Sequence, residues 1–246
     1  MYRSIRMVIC GVAVCALWGA MNDVAIAGTI IKLSLGGDSA ADVEFSGGAA
    51  GTLSTVDDGI AATTGEQNTA VEFLDFLEGV ASDILTSTAS FTLDGLVADG
   101  PAGVFVGSLV LQEFTDGTLE LYDAGNTLLL SGSLASSALA GPLGPPATGG
   151  LFTTSFSLVT GGTLAPYILA DSLTLSMSLT SINGGAGLTV TPPPPAIPPL
   201  LHSGDLNPFT ADTTVSIDGE IPEPTSIALL LAGGALIATV GRRKCA

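Results

Sequence analysis

Basic residues are scarce: 6 Lys and Arg stand against 23 Asp and Glu in 246 residues, a formal net charge of −17. Counterion release on phosphate backbones needs lysines and arginines, and a surplus of acid repels such polyanions, so nucleic acid is excluded as a partner. Histidine is rarer still. His202 is the only one, and it stands in Leu201-His202-Ser203-Gly204-Asp205, which reads as a loop beside a proline run. A Ser-His-acid triad has no G-x-S-x-G elbow to build on. The three cysteines, Cys10, Cys15 and Cys245, lie near the two ends, and with one histidine they do not assemble the nitrogen and sulfur ligands of zinc. Aromatics make up 5% and the single Trp is Trp18, so the stacking faces typical of sugar-cleaving sites are thin. At 47% apolar and 12% charged, the chain is too hydrophobic for an acidic disordered tail. Its length suits one domain, or two, with room for a core.

The ends are distinct from the middle. Arg3 and Arg6 precede an uncharged apolar run from Met7 to Ala20, followed by Ala25-Ile26-Ala27 directly before Gly28. Basic start, short greasy run and small residues form the three-part pattern of a secretory leader cut by signal peptidase between Ala27 and Gly28. Neither Cys10 nor Cys15 has the small preceding residue of a lipobox. At the other end, Ile221-Pro222-Glu223-Pro224-Thr225-Ser226 leads into the charge-free stretch 227–241, then Arg242-Arg243-Lys244. The stretch is apolar all round, which marks a helix meant for lipid. Its fifteen residues reach about 22 Å against a hydrocarbon core of about 30 Å, a marginal transmembrane span. The basic cluster behind it is a cytoplasmic stop, and Arg3 and Arg6 put the start of the chain on the same side of the inner membrane. The intervening residues then face outward, secreted or on the cell surface. Pro222 and Pro224 hold Glu223 extended and outside any ladder or helix, as a peptidase substrate must be.

Residues 221–246 resemble the PEP-CTERM sorting signal of Gram-negative bacteria, through Pro222-Glu223-Pro224, Ser226 two positions on, a Leu-rich helix with Gly233-Gly234, and the terminal Arg242, Arg243 and Lys244. The family pattern usually opens with Val where this chain has Ile221. The resemblance implies processing near the tripeptide by an exosortase, a membrane-embedded cysteine transpeptidase. Gly117-Thr118-Leu119 and Gly161-Gly162-Thr163-Leu164-Ala165 are similar in phrasing to the bodies of such proteins, a likeness of composition that implies no activity.

With both ends removed, residues 28–220 keep no cysteine, Lys32 as the one base, and every acid except Asp23 and Glu223. This body reads as all-β. Leu173, Leu175, Met177 and Leu179 alternate with hydroxyls from Ser172 to Thr180, the period of a half-buried strand. Comparable runs cover Thr29–Leu35, Ile84–Leu93, Val104–Leu111, Leu151–Val159 and Phe209–Ile217. Leu119–Tyr122 and Thr127–Ser131 flank Asp123-Ala124-Gly125-Asn126 as a hairpin. Gly- and Ser-rich stretches read as breaks. Residues 71–79 fit a short helix as well as a strand. Residues 192–200, with two proline clusters, read as a stiff polyproline II loop or spacer. Many short strands without helix alternation favour an antiparallel β-sandwich or jelly roll.

Carboxylates are the one abundant reactive group. Asp57, Asp58, Glu113, Asp116, Glu120 and Asp123 are the candidates for a two-acid glycoside hydrolase, a reading weakened by the missing aromatics. Asp57 and Asp58, or Asp116 with Glu120 and Asp123, are candidate ligands for a structural calcium ion, although neither set matches an EF-hand loop. No other cofactor is expected. The expected function is that of a non-enzymatic surface or extracellular-matrix protein associated with exopolysaccharide, with a carbohydrate-binding sandwich as the alternative.

Overall fold

A computed structural model describes residues 26–35, 40–57, 65–73, 88–105, 108–145, 149–168, 173–195 and 201–221. By contact, the chain divides into Met1–Ala27 with Glu220–Ala246 as one unit and Gly28–Gly219 as the other. The second unit is the β body. Of the first, the described residues are strand ends at 26–27 and 220–221.

Fifteen strands appear among the described residues, and no α-helix. In chain order they are β1 (Ile26–Ser34), β2 (Val43–Phe45), β3 (Thr52–Thr55), β4 (Glu66–Phe73) and β5 (Thr88–Asp94). Next come β6 (Leu96–Ala98), β7 (Ala102–Phe105), β8 (Leu109–Thr115), β9 (Thr118–Asp123) and β10 (Leu128–Pro142). The last are β11 (Gly150–Gly161), β12 (Thr174–Thr180), β13 (Val190–Thr191), β14 (Leu201–Leu206) and β15 (Phe209–Ile221). They join in one large sheet, and every pairing whose register is recorded is antiparallel. The all-β expectation holds.

Two long strands organise the sheet. β10 pairs β9 along Leu128–Ser133 and β8 along Ser137–Pro142, both on the edge opposite β11. β15 pairs β12 along one edge, with β2 at Phe209–Ala211, and also pairs β1. The pairings therefore close two circuits that share β10, β11, β12 and β15. One returns through β9, β5, β4 and β1, the other through β8, β6, β3 and β2. Closure gives each strand of the circuits a neighbour on both sides, while β7, β14 and β13 branch from β8.

β8 and β9 keep the same register against β10, so 109–142 is one long hairpin with its first arm broken at Asp116-Gly117. Both residues there have positive φ, 60° and 108°. Opposite the break, β10 shifts register between Leu134 and Ser137. An extra residue on one strand bends it and sharpens its twist, which lets the hairpin serve both circuits. Small residues permit the bend. At Gly132 a Cβ would stand 2.5 Å from the Phe156 ring and 2.9 Å from the Leu158 carbonyl oxygen.

The core follows the period of two. Leu173, Leu175, Met177 and Leu179 are buried while Thr174, Ser178 and Thr180 are exposed. A file of phenylalanines joins strands across the second circuit: Phe209 to Phe45 at 5.5 Å, Phe45 to Phe114 at 5.7 Å, and Phe114 to Phe152 at 6.0 Å between centroids. The last two contacts are edge-to-face, the arrangement ring quadrupoles prefer.

The structure corrects four readings. Val104–Leu111 is the junction of β7 and β8, closed by the Ser108 N–H donating to the Phe105 carbonyl at 3.1 Å. The Gly- and Ser-rich stretch after Ser131 is not a break but the continuation of β10. His202 is not in a loop: it lies in β14 opposite Val104, and its Nε2 is 3.0 Å from the Pro192 carbonyl oxygen. The first strand is Ile26–Ser34, starting three residues before the expected run Thr29–Leu35. Residues 71–73 end β4, while 74–79 lie outside the described residues. Pro193–Pro195 belong to no strand, and 196–200 are likewise outside.

Candidate functional site

The hairpin that forks the sheet also borders a hollow. Beside the Asp116-Gly117 break and the β10 bulge lies a cavity of about 730 Å³. Ser136, Thr153, Ser155 and Ser176 line it with Asp99 and Glu113, beside the apolar Phe114, Ala138 and Leu175. The register explains the row, because Thr153 faces Ser176 and Ser155 faces Thr174 across β11 and β12. Glu113 and Asp99 are joined through their backbones, the Asp99 N–H donating to the Glu113 carbonyl at 2.9 Å. Thr154, buried beneath the row, donates its hydroxyl to the Ala135 carbonyl in the bulge at 3.2 Å. The wall thus mixes hydroxyl residues, which both give and take hydrogen bonds, and two acidic residues with apolar side chains.

An apolar row lies further along the same hairpin. Leu201, Phe105, Leu109 and Pro142 are successive cross-strand partners on β14, β7, β8 and β10. Leu201, Phe105 and Leu109 are 55%, 38% and 46% exposed, well above the core, so the row is surface. Gly103 lies beside the row, where a Cβ would make ordinary contact with Phe105 at 3.4 Å and Leu201 at 3.5 Å.

Of the acids singled out from sequence, Glu113 lines the cavity. Asp116 and Asp123 stand at opposite ends of β9, about 20 Å apart at the rise of a strand, so they do not converge on one ion. Asp116 forms the break in the hairpin. Asp123 Oδ1 accepts the Thr127 N–H at 2.7 Å and closes the β9–β10 loop, while Glu120 accepts the Tyr122 hydroxyl at 3.0 Å. Partial burial pushes the Tyr122 phenol above its usual value, and the Glu120 hydrogen bond and charge push the same way. Asp57 is an exposed residue following β3, and Asp58 lies outside the described residues. Among the described residues no group of three or more His, Cys, Asp or Glu gathers as for a metal.

Sequence reasoning missed Asp99, Ser136 and the β11 hydroxyls. The signal was present in the alternating hydroxyls of Ser172–Thr180, but that only marks an outer face. What stacks Thr153 and Ser155 beside them is register, which one strand alone does not reveal.

Gly28 lies on β1, exposed, and the strand continues through Ala27. Ala25, Pro222, Glu223, Pro224, Ser226, the stretch 227–241 and Arg242, Arg243 and Lys244 lie outside the described residues. Among the described residues no helix is long and apolar enough to cross a membrane. Residues 220–244 match the PEP-CTERM protein-sorting motif, a signal for exosortase-processed export. The match starts at Glu220, so its first two residues are the last two of β15. No curated protein and no solved structure matches the chain.

Proposed function

We propose that this bearer of a PEP-CTERM motif is a non-enzymatic surface or extracellular-matrix protein, exported as a precursor with a handle at each end. Signal peptidase cuts between Ala27 and Gly28. The stretch 227–241 then holds the chain in the inner membrane, with Arg242, Arg243 and Lys244 on the cytoplasmic side, until an exosortase acts near Pro222-Glu223-Pro224. The released body is an acidic antiparallel sandwich. The observation that carries this reading is the motif at residues 220–244, whose Pro222-Glu223-Pro224 follows the last strand directly. Replacing Pro222 and Glu223 together with alanine in the native host is expected to leave a larger, membrane-retained species on a blot. A product of unchanged size would overturn exosortase processing.

The hydroxyl-lined cavity favours a second reading, a module that binds neutral saccharide chains of an exopolysaccharide. A glycan array is its test. Binding without turnover that weakens in Glu113→Gln and Asp99→Asn supports it, and silence leaves a passive matrix role. Hydrolysis that vanishes in Glu113→Gln would make the protein a glycoside hydrolase.

A further inference from the structure

The hollow and the exposed apolar row are parts of one surface. Burial alternates along β8, so Glu113, Leu111 and Leu109 share its outward face. Register carries the same order to the neighbouring strands. Glu113 stands opposite Ala138, and Ala138 opposite Thr153, while Leu111 stands opposite Ala140, and Ala140 opposite Leu151. One step along the strands therefore leads from the hollow to Leu111, Ala140 and Leu151, and a second step reaches the row of Leu201, Phe105, Leu109 and Pro142. From Glu113 to Leu109 is about 13 Å at the rise of a strand. Neither apolar step contains a charged residue. Five large apolar residues are exposed among the described residues, and four of them, Phe105, Leu109, Leu151 and Leu201, gather here. Scattered singly they would be ordinary surface; together they mark a contact site.

Size selects what covers them. The four are between 38% and 55% exposed and together present roughly 300 Å² of apolar surface. A stable protein partner needs about 800 Å² on each side, so the patch is too small for a second copy, and copies with Lys32 as their one base repel one another. An anionic membrane surface is repelled for the same reason. A short substituent such as acetyl covers one side chain, whereas the row from Leu201 to Pro142 crosses four strands, about 14 Å at ladder spacing. One alkyl chain fits both the area and the length. At its near end lie the hydroxyl residues of the hollow, whose groups give and take hydrogen bonds as those of a sugar do.

We propose that this face binds a neutral glycolipid, with the saccharide head in the hollow and a single long acyl chain over Leu111, Leu151 and the Leu109 row. This rests on the saccharide reading of the hollow given above. Asp99 and Glu113 set the neutrality, since they repel an anionic head.

The test is isothermal titration of the full chain in lipid nanodiscs with maltose and with hexyl, octyl and decyl maltoside below their micelle concentrations, with empty nanodiscs as the blank. Affinity is expected to rise at least tenfold from hexyl to decyl maltoside, as each half-covered methylene adds about twofold. Leu109→Ser combined with Leu151→Ser, both at the surface, is expected to flatten the series while maltose binding stays. Glu113→Gln is expected to weaken maltose and every maltoside by one common factor. Equal affinity for maltose and decyl maltoside overturns the glycolipid with the saccharide reading intact. A chain-length series that persists in the double serine variant overturns the assigned face. Acetylated maltose binding as tightly as decyl maltoside overturns the long chain in favour of an acetyl-decorated polysaccharide. A decyl chain on an oligoethylene glycol head that binds as well as decyl maltoside overturns both readings, because the hollow then selects no sugar. Absence of binding by every probe overturns both as well.

Discussion

Asp42 was no candidate for anything in the sequence, yet it is 2% exposed. Its carboxylate accepts the buried Thr213 N–H of β15, while its backbone bonds Ala211 and Val56. The side chain thereby fastens the start of β2 to β15, one of the strands that both circuits share. Asp42→Ala leaves that N–H buried without its acceptor, and urea unfolding is expected to show a loss of about 2 kcal/mol. Gly132 is the counterpart by shape. Alanine there must displace the Phe156 ring or the Leu158 carbonyl, so Gly132→Ala is expected to destabilise by about 1–3 kcal/mol in the same assay. Lys32 is a contrast. Its ion pair with Glu72, 3.6 Å long, joins side chains 53% and 74% exposed, and Lys32→Ala is expected to change stability by less than about 1 kcal/mol.

At the scale of elements, alternation was legible and continuity was not. β12 was plain because Leu175, Met177 and Leu179 alternate with hydroxyls. β10 was read only to Ser131, since Gly132 and the Ser and Ala residues after it look like punctuation when only propensity is consulted. Their small size is what lets Phe156 and the bulge fit, and that reason exists only once the partner strand is in place. The same holds for the cavity, whose lining residues come from strands far apart in sequence, and for His202, whose strand conformation depends on the pairing of β14 with β7. β9 carries a pH prediction. Tyr122 titrates higher in the folded than in the unfolded chain, so the unfolded state loses its proton first. Its contribution to stability is full below pH 10 and is lost as pH rises through the folded value. The thermal midpoint of wild type is therefore expected to fall faster above pH 10 than that of Tyr122→Phe. Parallel curves would detach Tyr122 from the effect.

For the whole molecule, charge is the dominant fact. The body has Lys32 alone against nearly all the acids, so it repels itself, and its thermal midpoint is expected to rise by a few degrees between about 10 and 150 mM NaCl as the Debye length shrinks. A midpoint that is flat in salt would mean that the acids are too dispersed to matter. The closed circuits also have a mechanical meaning. Tension entering at the carboxyl end alone runs along β15 and loads its ladder with β12 in shear, so many bonds must break together. Tension between the two ends enters neighbouring antiparallel strands at one corner and peels them apart bond by bond. A body held by β15 alone resists drag, and the same body pulled between β1 and β15 would open like a zip.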